Sequence, residues 1–304
     1  MKKASNLAKL ATEQANPASE NLDTKSAIEI ARIINSEDAR VAAAVARALP
    51  QIASAIEWIA EALAGGGRLI YVGTGTSGRI AALDAAECPP TFGIDPKLVQ
   101  FVMAGGNKAL GAAIEADEDS RIMGAREIRK KRPGKKDIVV GVSASGRTPF
   151  TIAAVSWARR AGAKTVAVTC NPRSRLAAAA DLAIVGETGA EVVAGSTRMK
   201  AGTAEKMVLN MLSTGAMVRL GFVYGNLMVN LHQKNRKLEE RAVGIVENVT
   251  RVHRGRARRL LKTAGNSVPV AIVMQSAGVS KRAAEAALGA AFGHVREAIK
   301  LAGQ

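Results

Sequence analysis

Cysteine is scarce: Cys88 and Cys170 are the only two in a chain of 304 residues, far apart and outside any CxxC or CxxH spacing. A disulfide framework and a structural zinc site are excluded as organising features, and buried free thiols are expected. Histidine is nearly as rare, and His232, His253 and His294 have no ligand spacing, so each is expected as an ordinary polar residue and no metal is expected in the chemistry. Aromatic residues make up 3% of the chain, which leaves few stacking platforms for single-stranded nucleic acid. Zinc-finger and RNA-binding signatures are also missing. No run approaches the roughly twenty apolar residues needed to span a bilayer. The opening stretch MKKASNLAKLATEQ meets charge and amide before a signal-peptide core could form, so cytoplasmic residence is expected.

Apolar residues make up 48% of the chain, ample for a buried core. The formal charge is +17, and the excess is uneven. Arg251, Arg254, Arg256, Arg258, Arg259 and Lys262 crowd a stretch that reads as helix. A solvated basic face fits this better than a nucleic-acid surface, and no membrane partner is expected.

Apolar periodicity places helices over about Ser26–Ile34 and Asp38–Leu63, where Ile52, Ile56 and Ile59 share a face. Five short β-forming runs follow: Arg68–Gly73, Leu98–Gly105, Asp137–Ser143, Thr165–Cys170 and Asp181–Gly186. Helical patterns alternate with them, at Gly78–Ala86, within Leu110–Arg129 and at Pro149–Ala161. Near-continuous apolar strands alternating with helices predict a doubly wound α/β fold, a five-stranded parallel sheet covered on both faces. Long helices are expected over Ala201–Leu220 and Lys234–Thr263, with short helices around glycine turns at the end. Four segments result: N-terminal helices over 1–50, the α/β domain over 51–225, a long helix over 226–265 and a small three-helix bundle over 266–304.

In an open parallel sheet, ligands collect where strand C-termini meet helix N-termini. The first such turn, Gly73 to Arg79, offers permissive backbone, the hydroxyls of Thr76 and Ser77, and free amides at a helix start, which suits an anion. It also spells GxGxxG. A dinucleotide site, however, wants an acidic residue at the end of the second strand, and that strand ends Val102, Met103, Ala104, Gly105, Gly106. No nicotinamide, and no other cofactor, is expected. Arg79 stands where a Walker A loop would carry lysine. The turn after the third strand repeats the logic with Ser143, Ser145, Arg147 and Thr148 before Pro149; these hydroxyls could simply cap the helix, but two such turns at one sheet edge favour shared phosphate binding.

Glu87 precedes Cys88, Pro89 and Pro90, and the proline pair is expected to end the helix and fix the backbone beside the carboxylate. A phosphate loop joined to such a carboxylate suggests acid/base chemistry on a phosphorylated metabolite. Glu118, among Glu115, Asp117 and Asp119, would by itself pass as an acidic surface near a helix start.

Several longer runs carry a resemblance: TEQANPASENLD, LIYVGTGTSGR, DAAECPPTFG, EADEDSR, DIVVGVSASGRTP, GAEVVAGSTRMKAGTAEKMVLNMLSTG and YGNLMVN. Over nearly its whole length the chain resembles the sugar isomerase (SIS) domain group and, within it, the N-acetylmuramic acid 6-phosphate etherases, lyases of cell-wall sugar recycling. The resemblance implies that Glu87 and Glu118 are the two catalytic carboxylates, that the enzyme is a metal-free homodimer, and that the terminal bundle is ubiquitin-associated-like. Three departures from the family pattern are Asp117 before Glu118, Ser143 in place of an alanine, and His232, Gln233 and Lys234 after YGNLMVN. Ser196, Thr197 and Lys200, in the STRMK run, are expected to contribute to substrate binding by adjacency.

The chemistry the family performs needs two carboxyl groups, one to remove the C2 proton of a ring-opened sugar and one to assist lactate in leaving C3. Two other functions fit the same domain: an aldose/ketose sugar-phosphate isomerase, and a non-catalytic sugar-phosphate sensor like the glucokinase regulatory protein. A sensor needs no acid/base pair, and an isomerase releases no lactate. One spacing is awkward for a site built in a single chain: ten residues of helix separate Ser77 from Glu87, roughly 15 Å at helical rise. Sites shared across the interface of a homodimer are therefore expected.

Overall fold

The computed structural model describes residues 11–112, 114, 117–231 and 236–303. His232, Gln233, Lys234 and Glu115, singled out above, lie outside them. By packing, the chain divides into two compact units. One takes in the chain up to Ala86 together with Pro96–Ser213; the other takes in Glu87–Asp95 and the chain from Thr214 onward.

The first unit opens with single turns and three helices, α1 (Ala27–Asp38), α2 (Val41–Ala46) and α3 (Leu49–Ala64). Ser26 and Glu29 form a reciprocal capping box at the start of α1. The helix expected over Asp38–Leu63 is divided because Pro50, in the first turn of α3, has no amide to continue a helix across the junction. The α/β core follows: β1 (Leu69–Gly73), α4 (Gly75–Phe92), β2 (Val99–Met103), α5 (Arg121–Lys130), β3 (Ile138–Val142), α6 (Pro149–Arg160), β4 (Lys164–Thr169), α7 (Arg175–Ala179), β5 (Leu182–Val185) and α8 (Lys200–Arg219).

The five strands form one sheet in the order β2-β1-β3-β4-β5, every pairing parallel, as the alternating pattern predicts. Every residue of β1 and β3 is buried, which is why those runs are apolar without alternation. On one face, Ile70, Val72, Val102 and Val139 pack with Ile128 of α5 and with Phe150, Ala154 and Ala158 of α6. Tyr71, one residue out of phase, points to the other face and donates its hydroxyl to Asp84 of α4 at 2.8 Å.

Helix α4 is longer than its pattern suggests. Pro89 and Pro90 lie inside it instead of ending it, and the helix runs to Phe92, where Gly93 donates to the Pro89 carbonyl at 2.9 Å. The cost falls in the last turns, because neither proline can bond the carbonyl four residues earlier.

In the second unit a small hairpin, β6 (Val223–Tyr224) and β7 (Leu227–Met228), precedes α9 (Arg236–Thr250), α10 (Arg254–Thr263), α11 (Val268–Ala277), α12 (Lys281–Ala290) and α13 (Val295–Ala302). The long helix expected over Lys234–Thr263 is broken between α9 and α10. Arg251 takes a left-handed φ of 59°, and His253 caps α10 by accepting from the Arg256 amide at Nδ1, 3.3 Å away. Ala242 and Val246 of α9, Leu261 of α10, Ile272 of α11 and Ala298 of α13 share one apolar core. Part of the basic run is neutralised locally: Arg254 pairs with Glu240 and Glu247, and Arg258 reaches Glu240 at 2.6 Å. No described helix is long and apolar enough to cross a membrane.

Candidate active site

The strand order reverses direction between β1 and β3: β2 lies to one side of β1, and β3 and the later strands lie to the other. In open α/β sheets such a switch point leaves a crevice at the strands' C-terminal edge. The turns opening onto it here are 74–78, after β1, and 143–148, after β3, the two hydroxyl-rich turns named from sequence.

At the first turn, Gly75 adopts φ 50°, and α4 begins with the Gly78 amide bonding the Thr74 carbonyl at 2.9 Å. The amides of Gly75, Thr76 and Ser77 therefore have no partner within the helix and point out of its N-terminus. Arg79, in the first turn of α4, donates to the carbonyls of Leu110 and Ala112, the latter at 2.8 Å.

The second turn is knotted by its own side chains. Ser143 and Thr148 share a hydroxyl–hydroxyl hydrogen bond of 2.9 Å, and Ser143 Oγ also accepts from the Gly146 amide at 3.2 Å. Ser145 Oγ accepts from the Arg147 amide at 3.2 Å. Thr148 occupies the N-cap position of α6, yet its side chain makes no capping bond, so helix capping does not account for the hydroxyls in this turn. A shared pair uses one of its two protons internally. The other, and the Ser145 proton, remain available to an anion. Gly146 is required here: its φ is 62°, and a Cβ would lie 2.3 Å from Ser174 Oγ. Ser143 thus holds Thr148 in place.

Glu118 joins the two turns. Its backbone carbonyl accepts from the Phe150 amide at the start of α6, 3.1 Å away, and its carboxylate accepts from Thr74 Oγ1 at 3.2 Å. A Cβ on Gly75 would stand 3.1 Å from Glu118 Oε1, so the carboxylate lies directly against the turn after β1. Glu87 sits ten residues along α4 from Ser77, with its side chain exposed. Leu83, one turn earlier on the same helical face, is 55% exposed.

Within the STRMK run the structure sets Lys200 apart from Ser196 and Thr197. Ser196 and Thr197 lie half-buried in the loop before α8, where the Thr197 carbonyl accepts from Gly202 at 3.0 Å. A Cβ added at Gly202, in the first turn of α8, would stand 3.5 Å from Thr76 Cγ2, so the start of α8 lies close behind the turn after β1. Lys200 is 2% exposed, and its ammonium pairs with Glu37 at 2.5 Å. Adjacency in sequence suggested a substrate contact; burial and the ion pair give Lys200 a structural role, fastening α1 to the start of α8.

Sequence reasoning did not pick out three buried carboxyl groups. Asp84 accepts from Tyr71, Asn210 and Ser213, at 2.8, 2.7 and 3.0 Å, and burial nonetheless pushes its pKa up. Glu191 accepts the amides of Lys200 and Ala201 at 3.0 and 2.9 Å, capping α8, and is also raised by burial. Glu205, on α8, is 1% exposed and takes a hydrogen bond of 2.8 Å from Ser77. Cys88 and Cys170 are both buried and form no disulfide; burial raises the Cys170 thiol well beyond its ordinary range. Among the described residues, no group of three or more His, Cys, Asp and Glu side chains could hold a metal ion.

Comparison with known proteins identifies the domain. Residues 51–159 match the glucokinase regulatory protein N-terminal SIS domain, and residues 130–215 match the SIS domain. The domain is thus of the sugar-isomerase type. Beyond it, the chain is 56% identical to the N-acetylmuramic acid 6-phosphate etherase of Symbiobacterium thermophilum, an alignment covering 90% of this chain and 91% of that one. It is 47% identical to the corresponding etherase of Klebsiella aerogenes, over 96% and 98% of the two chains, and 47% identical to that of Clostridium botulinum, over 97% of each. The chain belongs to the N-acetylmuramic acid 6-phosphate etherase family.

Proposed function

We propose that this chain is a carbon–oxygen lyase that cleaves the D-lactyl ether of N-acetylmuramic acid 6-phosphate, giving N-acetylglucosamine 6-phosphate and D-lactate. The observation that carries the reading is the position of Glu118, whose backbone is held by the start of α6 and whose carboxylate is held by Thr74. That arrangement puts a candidate base beside two anion-binding turns.

With the sugar ring open, the C1 aldehyde acidifies the C2 proton. A carboxylate removes that proton, C2 and C3 become doubly bonded, and the C3–O bond breaks as an acid protonates the departing lactate. Water then adds, its hydroxyl to C3 and its proton to C2. A carboxylate is a weak base for a carbon acid, so positioning and stabilisation of the enolate oxygen supply much of the rate. In this scheme Glu118 takes the C2 proton and Glu87 assists lactate. Glu87 reaches the site from the neighbouring subunit of a homodimer, and the exposed Leu83 beside it gives that interface an apolar contact. Sugar phosphates are confined by their charge, so the reaction belongs in the cytoplasm. Incubating the protein with N-acetylmuramic acid 6-phosphate and assaying free D-lactate tests the reading. An isomerase or a sensor releases none.

The phosphate should bind to the turn amides together with Ser145, Arg147, Thr148, Thr76 and the Ser77 hydroxyl. Replacing Ser145 and Thr148 together by alanine should weaken binding of N-acetylglucosamine 6-phosphate by roughly 1 to 3 kcal/mol for each charge-assisted hydrogen bond lost. N-acetylglucosamine itself should bind both proteins equally poorly, as titration calorimetry can establish. Equal affinity of the wild type for the two sugars would reduce the turns to loop architecture.

Because two carboxyl groups suffice for each bond made and broken, lactate release should survive dialysis against a chelator. Activity lost to chelator and restored by a divalent ion would require a different mechanism.

A further inference from the structure

The Ser77 hydroxyl lies on the rim of the first anion turn, but it donates away from the crevice, to Glu205 Oε1 at 2.8 Å. Glu205 is 1% exposed, and its second oxygen, Oε2, is buried with no hydrogen-bond partner among the described residues. An ionised carboxylate has room for about four donors, and a buried one that finds only one donor is held at high cost in its charged form. The titratable neighbours offer no relief. Lys200 is engaged by Glu37, Glu191 caps the start of the same helix, and the Cys170 thiol is itself pushed up in part by Glu205. On its own helix, Lys206 acts on Asp84.

Protonation changes what Ser77 can do. Facing an ionised Glu205, the serine spends its single proton on the carboxylate and can only accept from other groups. Facing a protonated Glu205, it receives the acid's proton and turns its own toward the crevice, where a phosphate oxygen accepts it. The heavy atoms need not move.

We propose that Glu205 is a positioning residue which, in its protonated form, donates to Ser77 and thereby aims the Ser77 hydroxyl at the substrate phosphate. The inference rests on the reading of turn 74–78 as part of the phosphate site. Burial raises Glu205 to about 8, so the acid form prevails at neutral pH and gives way in mild alkali. Ionisation would also set a negative charge one hydroxyl away from the phosphate.

The test is the affinity of N-acetylglucosamine 6-phosphate, measured by calorimetry between pH 7 and 9.5 on the full chain. Wild type should bind roughly tenfold more weakly at pH 9 than at pH 7, since about a tenth of Glu205 then keeps its proton. Glu205→Ala should bind about tenfold more weakly than wild type at pH 7, having lost the donor to Ser77. Glu205→Gln should recover most of that affinity, because its amide donates to Ser77 at any pH, and should show no alkaline fall. Ser77→Ala should keep only a smaller fall, the part due to the Glu205 charge alone. A wild-type affinity that is flat through pH 9.5, or an alkaline fall that persists in Glu205→Gln, would overturn the role of Glu205 while leaving the phosphate site in place. Failure of the wild type to prefer the phosphorylated sugar at pH 7 would overturn the site itself, and Glu205's role with it. Infrared difference spectra supply a readout independent of ligand: a protonated carboxyl stretch present in wild type at pH 7, fading toward pH 9.5, and missing from Glu205→Gln. Its absence from wild type would refute the proposal.

Discussion

Alanine at Glu118 will stop exchange of the C2 proton of the substrate with solvent deuterium, whereas alanine at Glu87 will slow lactate release but leave that exchange running. On the proposed roles each substitution removes one arm of an acid/base pair, and each should lower turnover by about 10²- to 10⁴-fold, the usual worth of a positioned proton-transfer group. The two defects differ because the steps differ. Exchange requires only that a base remove and return the C2 proton; loss of lactate also requires an acid at the C3 oxygen. Glu118 is the better candidate for the base because Thr74 and the Phe150 amide fix both its carboxylate and its backbone. Glu87, exposed on α4, has the freedom to follow a leaving group. Mass spectrometry of recovered substrate in deuterated buffer reads the result directly. Exchange retained in Glu118→Ala and lost in Glu87→Ala would reverse the assignment.

The sheet was legible because its strands announce themselves. LIYVG and IVVGV are short, apolar throughout and bounded by glycine or charge, so strand positions fell within one or two residues of β1 to β5. From five alternating strands and helices the parallel arrangement follows, and with it the edge where ligands gather. Helix ends were read less well. The pattern at Ala86–Pro90 suggests a stop, yet the prolines sit in the last turns of α4, where only two carbonyls lose their donors. The break between α9 and α10 depends on a left-handed Arg251, a conformation that the sequence does not advertise.

Within the site, hydroxyls and glycines carry a local signature, and the turns after β1 and β3 could be named from it. Glu118 could be named only through resemblance, since its neighbours read as an acidic surface. Thr74, Asp84 and Glu205 stayed invisible because their roles are made by contacts between distant segments. Ser77 and Glu205 are 128 residues apart in the chain, and Tyr71 and Asp84 meet only when β1 and α4 fold together. Lys200 shows the opposite failure: it stands beside residues of interest in the sequence, while in space its ammonium is buried against Glu37.

Two inactive variants should restore activity to each other when their subunits exchange. Helix α4 is one continuous element from Gly75 to Phe92, so helical rise alone separates Ser77 from Glu87 by roughly 15 Å. That exceeds the reach of one small sugar phosphate, and the bonds lost at Pro89 and Pro90 are those to the Ala85 and Ala86 carbonyls, so close to Glu87 that a bend there leaves most of the span unchanged. In the proposed two-fold dimer the Glu87 of each chain would serve the phosphate turns of the other, producing two composite sites. Consider Glu87→Ala mixed with the double variant Ser145→Ala and Thr148→Ala. In a mixed dimer one site carries both defects and the other carries neither. Random pairing makes half of the dimers mixed, each with one sound site, so the mixture should approach roughly a quarter of wild-type lactate release. Mass spectrometry of isotopically labelled subunits establishes that exchange has taken place. If exchanged dimers stay inactive, Glu87 acts within its own chain, and α4 must then deliver it to the substrate by bending at a point the present geometry does not contain.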